Sequence, residues 1–240
     1  MAKLYVVGIG PGGLEHMTYK AVEVIKNSQV IVGYTPYIDY LGDLVDGKEL
    51  ISTGMRGEVE RCKAAIEMVR QGKDTSIIST GDAGLYGMAG PILELATDIE
   101  VEIIPGVTAA FSAAAELGSP IMHDYASISL SDLLTPWEVI INRVEKAAEA
   151  DFVISIYNPK SKGRKTHLET AIKTISKYRD GSTPVGIVRN SGRPDTSITI
   201  TSLDSINYES VDMLSVLIIG NPNTFIRDNK IITPRGYNIK

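Results

Sequence analysis

Four short apolar runs in the first half of the chain each lead into a glycine within two residues: KLYVV at residues 3–7, VIV at 30–32, TSIIS at 75–79 and EVEII at 100–104. Each run is rich in β-branched residues and has strand length. Segments with helical spacing lie between them. Residues 19–27 set Ala21, Val22 and Ile25 on one face behind a capping Thr18, and residues 58–71 do the same with Ala65, Met68 and Val69 ahead of Gly72. Residues 91–96 predict a short helix, and an alanine-rich helix follows Thr108 as far as Leu117. Strands that alternate with helices pair in parallel, because each parallel neighbour needs a crossover. This half therefore predicts an α/β sheet, largely parallel.

Residues 118–123 break the pattern. Beyond them Pro136 starts a helix with Trp137, Ile140, Ile141, Val144 and Ala148 at core spacing. Strands are expected at 152–157, 185–188, 197–201 and 213–219, and a helix from Thr166 to Lys177. A polar, basic loop covers residues 158–165. The expected fold is α/β in two domains, residues 1–120 and 121–240. A chain of 240 residues permits this, and 43 % hydrophobic residues supply the core.

A net charge of −5 argues against a nucleic-acid partner. No apolar run reaches the ~18 residues of a membrane span, and residues 1–10 read as a strand rather than a signal peptide. Cys62 is the only cysteine, so no intrachain disulfide can form. With three histidines beside it, no structural metal site is expected. These features point to a cytoplasmic protein that binds or uses a cofactor.

Gly8, Gly10 and Gly13 match G-x-G-x-x-G after a strand, which suggests a dinucleotide site. That mechanism needs the helix to begin at the glycines, with its N-terminus on the pyrophosphate. Here Pro11 interrupts the motif and the helical pattern starts only near Thr18. It also needs an acidic residue after the second strand, where this chain reads Val32-Gly33-Tyr34. The loop is then either a plain tight turn or a backbone surface that a cofactor can approach closely.

The segments VVGIGPGG (6–13), STGDAGLYGMAGP (79–91) and IIPGVTAA (103–110), in this order and each after a strand, resemble the tetrapyrrole methylase family. The resemblance runs through HDYASISLSDLLTPWEVI (123–140), DFVISIYNPKSKGR (151–164), VGIVRNSGRPDTSITITSL (185–203) and IIGNPNTF (218–225), and so covers essentially the whole chain. It implies two α/β domains with an S-adenosylmethionine cleft between them. It also implies methylation at C17 of cobalt-precorrin-3 or precorrin-3B, with ring contraction, in cobalamin biosynthesis, by an enzyme that is usually a homodimer. Carried over residue by residue, it places cofactor contacts at Pro11, Gly81, Asp82, Leu85, Tyr86, Thr108 and Ala109. In the second half it places them at Asn158 and Ser191. The acidic residue that some relatives carry after the second strand is Tyr34 here, so its role does not transfer.

The cofactor has no phosphate, so backbone donors and acceptors at strand ends suffice, and glycines allow close approach. Methyl transfer is an in-line displacement that depends on alignment and needs no covalent nucleophile. Ring contraction needs proton transfers, for which His123 and Asp124 are the candidates. The polar cluster Ser129, Ser131, Asp132 and Thr135 either meets substrate or caps the helix at Pro136. The many carboxylates of the substrate point to Lys160, Arg164 and Arg189, with Arg56, Arg193 and Arg235 as further cations. Other readings are a methylase for another precorrin position and a catalytically silent tetrapyrrole-binding protein on the same fold.

Overall fold

The computed structural model describes residues 2–238. Two compact units divide the chain, Met1–Ala109 and Ala110–Lys240. In the first, β1 (Lys3–Gly8), α1 (Tyr19–Asn27), β2 (Val30–Tyr34), α2 (Thr35–Asp39), β3 (Glu49–Thr53), α3 (Glu58–Arg70), β4 (Thr75–Ser79), α4 (Ala89–Leu95) and β5 (Glu100–Ile104) follow one another. The strands form one sheet in the order β3-β2-β4-β1-β5, and every pairing is parallel. Strand alternation sorts the core into two layers. Leu4, Val6, Val30, Val32 and Ile77 face Cys62, Ala65, Ile66 and Ile92 of α3 and α4. Val7, Ile31, Ile78 and Ile104 face Ala21, Val24, Ile25 and Ile38 of α1 and α2.

The second unit holds α5 (Ala109–Leu117), β6 (Gly118–Ser119), β7 (Tyr125–Ser129), α6 (Trp137–Glu149), β8 (Val153–Tyr157), α7 (His167–Ile175), β9 (Pro184–Arg189), β10 (Ser197–Ser202), β11 (Ser215–Ile219), β12 (Phe225–Arg227) and β13 (Lys230–Ile232). Its main sheet runs β10-β9-β11-β8-β7; only β7 and β8 pair in parallel. β12, β13 and β6 make a small second sheet. The core gathers Ile140, Val144, Ile154, Ile156, Leu168, Ile172, Ile187 and Leu217.

The division falls before the expected boundary at residue 120, because α5 packs against the strands of the second unit. Leu117 is fully buried and lies where a Cβ on Gly186 would stand, 2.3 Å away. Ser112 Oγ is 2.7 Å from Ser191 Oγ, and the backbone N–H of Ala110 donates to the Tyr157 hydroxyl at 2.8 Å. An alanine-rich helix gives no sign in sequence of which neighbour it serves.

Candidate functional site

All strands of the first sheet are parallel, so the loops after β1, β4 and β5 leave from one edge, and the strand order sets β1 between the other two. Three glycines make this possible. A Cβ on Gly8 would stand 2.7 Å from Gly106 N and 2.8 Å from Gly81 O, and one on Gly106 would stand 2.2 Å from Gly81 O. Hydrogen bonds join the loops: Gly10 N–H donates to Gly81 O at 3.1 Å, and Gly81 N–H donates to Gly10 O at 2.7 Å. Gly10 and Gly81 hold the left-handed region at φ +74° and +68°, where a side chain is strained.

The helix after the first loop begins late. Thr18 caps α1, accepting from Ala21 N at 3.1 Å, and a single turn at Leu14–His16 fills the gap. The glycines therefore do not lie at the N-terminus of an α-helix, and the dinucleotide mechanism lacks its anion site.

Asp82 is the hub of the second loop. Its Oδ1 accepts from the backbone of Gly84 at 2.8 Å and Leu85 at 3.1 Å, and Oδ2 accepts from Gly106 at 3.0 Å. The carboxylate thus fixes one loop's shape and ties it to the next. Beyond it Tyr86 is half exposed and left-handed at φ +57°. Pro11 is buried and Leu85 partly so. Thr108 is buried, with Ala109 next to it at the start of α5.

In the second unit, β7 and β8 are parallel, so residues 130–136 and 158–166 leave from the same edge. Asn158 is left-handed at φ +51°, and its Nδ2 donates to Ser129 Oγ at 2.9 Å. Ser191 turns inward, with Oγ 2.8 Å from Glu116 Oε1. Lys160 donates to Tyr208 O at 3.0 Å and stands 3.6 Å from Glu209. Arg189 Nε donates to Asp212 at 2.8 Å, and Asp195 is 3.7 Å from its Nη1. Arg164 differs: it is buried, its Nε has no hydrogen-bond partner, and its nearest carboxylate, Asp132, is 3.9 Å away. Lys160, Lys162 and Lys165 line an open pocket of about 580 Å³ together with Thr166 and Glu169 of the α7 N-terminus.

His123 and Asp124 lie at the opposite end of β7, just before its first residue. They are exposed neighbours, with His123 Nδ1 accepting from Asp124 N at 2.9 Å, and the sheet does not bring them to Asn158, Lys160 or Arg164. A pair that the sequence reading missed stands at the edge with those residues. His167 Nε2 is 3.0 Å from Asp132 Oδ2, and its ring lies 4.1 Å from that of Trp137 at 50°. The His167 hydrogen bond outweighs desolvation and holds the Asp132 carboxyl below its ordinary range. The only sequence signal was position: Asp132 and His167 sit in or beside the SLSDLLTPWE and YNPKSKGR segments, Asp132 in a cluster that either meets substrate or caps a helix and His167 just after the helix start at Thr166.

The sequence pattern of the Tetrapyrrole (Corrin/Porphyrin) Methylases matches residues 3–207. A probable cobalt-factor III C(17)-methyltransferase of Salmonella typhimurium is 47 % identical over 240 residues, covering 98 % of this chain and 100 % of that protein. A precorrin-3B C(17)-methyltransferase of a Sinorhizobium species is 39 % identical over 246 residues, covering 98 % and 96 %. Among solved structures, that of the methyltransferase CobJ superimposes with a TM-score of 0.93 at 30 % identity, covering 98 % of this chain and 100 % of that one.

Proposed function

The chain belongs to the tetrapyrrole (corrin/porphyrin) methylases, and from that premise we propose that it moves a methyl group from S-adenosylmethionine to C17 of a cobalt-factor III or precorrin-3B type substrate in cobalamin biosynthesis. It is a methyltransferase of the C17 type. The observation that carries the reading is the meeting of three glycine loops at one edge of a parallel sheet, on the segments that carry the family pattern.

S-adenosylmethionine, when bound, would supply an electrophilic methyl carbon on a sulfonium, open to in-line attack by an electron-rich ring carbon of the tetrapyrrole. The residues present fit such a ligand. A Cβ on Gly81 would stand 3.7 Å from Ala109 N and Thr108 Cα, in ordinary van der Waals contact, so the glycine leaves about a methyl's width beside residues 108–109. We assign the cofactor contacts to Pro11, Gly81, Leu85, Tyr86, Thr108 and Ala109. Asp82 acts through its three backbone bonds, which set the loop's form. Asn158 and Ser191, tied to Ser129 and to Ser112 and Glu116, act by shaping their own loops. Holding two reactants in attack geometry can remove roughly 7–11 kcal/mol of barrier.

For substrate carboxylates Arg164 is the strongest of the three cations named from sequence, since Lys160 and Arg189 already have partners. Arg164→Ala should raise the KM for the tetrapyrrole about tenfold, the effect of one charge-assisted hydrogen bond, while adenosylhomocysteine affinity holds. An unchanged KM would remove this loop from the substrate site. Proton transfer has two candidate pairs, His123–Asp124 and His167–Asp132. The second is favoured by its Nε2–carboxylate contact at 3.0 Å and by its place at the strand edge that also carries Asn158, Lys160 and Arg164.

No helix among the described residues is long and apolar enough to cross a membrane. We take the enzyme to be a cytoplasmic homodimer, the latter open to sedimentation analysis. Calorimetric titration with adenosylhomocysteine and with NADH tests the core of this reading. Binding of adenosylhomocysteine alone is expected, followed by methyl transfer to cobalt-factor III or precorrin-3B. Binding of NADH alone would overturn the reading.

A further inference from the structure

Arg61, near the start of α3, is 4 % exposed, yet its guanidinium makes no hydrogen bond to any described residue. Its Nε is sealed without a hydrogen bond, and the nearest carboxylate, Glu58 Oε1, stands 3.9 Å from Nη2 on a side chain that is 55 % exposed. Arg179 shows what a built structural arginine looks like in the same chain: its Nε is sealed in the same way, but at 6 % exposure it donates from Nη1 to Asp151 at 2.6 Å and from Nη2 to Phe152 O at 3.3 Å. A recessed guanidinium held only by a long, exposed ion pair is costly to bury and gains little from that pair. Among the described residues Nη1 and Nη2 make no hydrogen bond, and Nη2 has only the long contact to Glu58. That leaves the planar fork, which matches a carboxylate, without one at hydrogen-bond distance.

The backbone beside it has the same preference. α3 is 13 residues long, and its N-cap is Gly57, which contributes no side-chain bond. The first-turn N–H groups are therefore uncapped, at the positive end of the helix dipole. The near contact between Nη2 and Glu58, the first residue of α3, brings the guanidinium back to that turn. The turn follows β3 at the edge where every strand of this parallel sheet ends. Arg56, exposed on the same loop, adds a second positive charge.

We propose that Arg61 and the uncapped N-terminus of α3 form a carboxylate-binding site, which takes a peripheral carboxylate of the tetrapyrrole and displaces Glu58. The proposal rests on the methyltransferase reading. The same chemistry could come from the amino-acid carboxylate of the cofactor, so the experiment separates the two. Uroporphyrin, a stable polycarboxylate tetrapyrrole, is titrated by fluorescence and adenosylhomocysteine by calorimetry against the wild-type chain, Arg61→Met and Arg61→Lys, with thermal unfolding of each.

Arg61→Met should bind uroporphyrin at least tenfold more weakly, and Arg61→Lys should also lose affinity because an ammonium lacks paired donors. Adenosylhomocysteine should bind all three within twofold. The Tm of Arg61→Met should stay level or rise, since a poorly paired buried charge has gone. Unchanged uroporphyrin affinity in either variant overturns the proposal, and so does loss of cooperative unfolding in Arg61→Met, which would make the arginine structural. Loss of adenosylhomocysteine binding alone overturns the assignment to substrate and hands the site to the cofactor. A wild-type chain that binds uroporphyrin but not adenosylhomocysteine fails the methyltransferase reading instead.

Discussion

Gly106→Ala is expected to destabilise the first unit by about 3 kcal/mol or more, the upper end of overpacking costs, and to abolish adenosylhomocysteine binding. The added methyl would stand 2.2 Å from Gly81 O and 2.7 Å from both C and O of Gly8. These are backbone atoms of two neighbouring loops, so no side chain can swing aside. Relief would require separating the strand ends, and the hydrogen bonds between Gly10 and Gly81 would go with them. Gly8→Ala should behave alike, with contacts at 2.7 and 2.8 Å. Gly90→Ala is the control, because its methyl meets nothing within 4 Å on helix α4. It should stabilise by up to roughly 1 kcal/mol through helix propensity. Urea unfolding of the three variants gives the comparison. If Gly106→Ala unfolds at the wild-type midpoint, the loops are not packed as described.

Asp82→Ala should lower stability by about 3 kcal/mol and weaken cofactor binding together with it. One carboxylate serves three backbone donors. Hydrogen bonds to a charged group contribute roughly 1.5–3 kcal/mol each, but Gly84 is exposed and can turn to water. The Gly106 donor is half-buried and has less recourse. Asp82→Asn is the informative partner. Its amide keeps one acceptor oxygen for Gly84 and Leu85 but turns a donor toward the Gly106 N–H. Asn should therefore recover less than half of the loss. Calorimetry beside urea unfolding reads both effects. Affinity lost at full stability would instead mean that Asp82 touches the cofactor directly.

The first unit was legible because its signals are local. Thr18 caps where the polar-to-apolar switch said it would, and the strands at 75–79 and 100–104 match their apolar runs to the residue. The glycine motifs were legible as motifs, but their reason was not. Gly8 and Gly106 are far apart in sequence and need no special backbone angle; the constraint is a contact that appears only once the sheet is assembled. Asp82 was named from sequence as a cofactor contact, and the structure adds the three backbone donors that its oxygens accept from. In the second unit, β6, β12 and β13 are two or three residues long and carry no periodicity to find. β3 and β7 were missed because exposed or serine-rich strands, ELIST and YASIS, lack a clear apolar pattern.

The pairing of β13 with β6 has a consequence for how the chain is made. Ile231 and Ile232 lie beside Gly118 and Ser119, Lys230 Nζ reaches Glu116 O at 3.0 Å, and Thr233 Oγ1 donates to Pro120 O at 2.5 Å. On the ribosome the first sheet has all its strands once residue 104 has emerged. The segment at 118–120 must wait for partners more than a hundred residues away, on the order of ten seconds at ordinary elongation rates. Nascent chains arrested before residue 230 should therefore present a finished first unit and a second one still open to proteolysis at its entry. Emergence of residues 230–233 would close it.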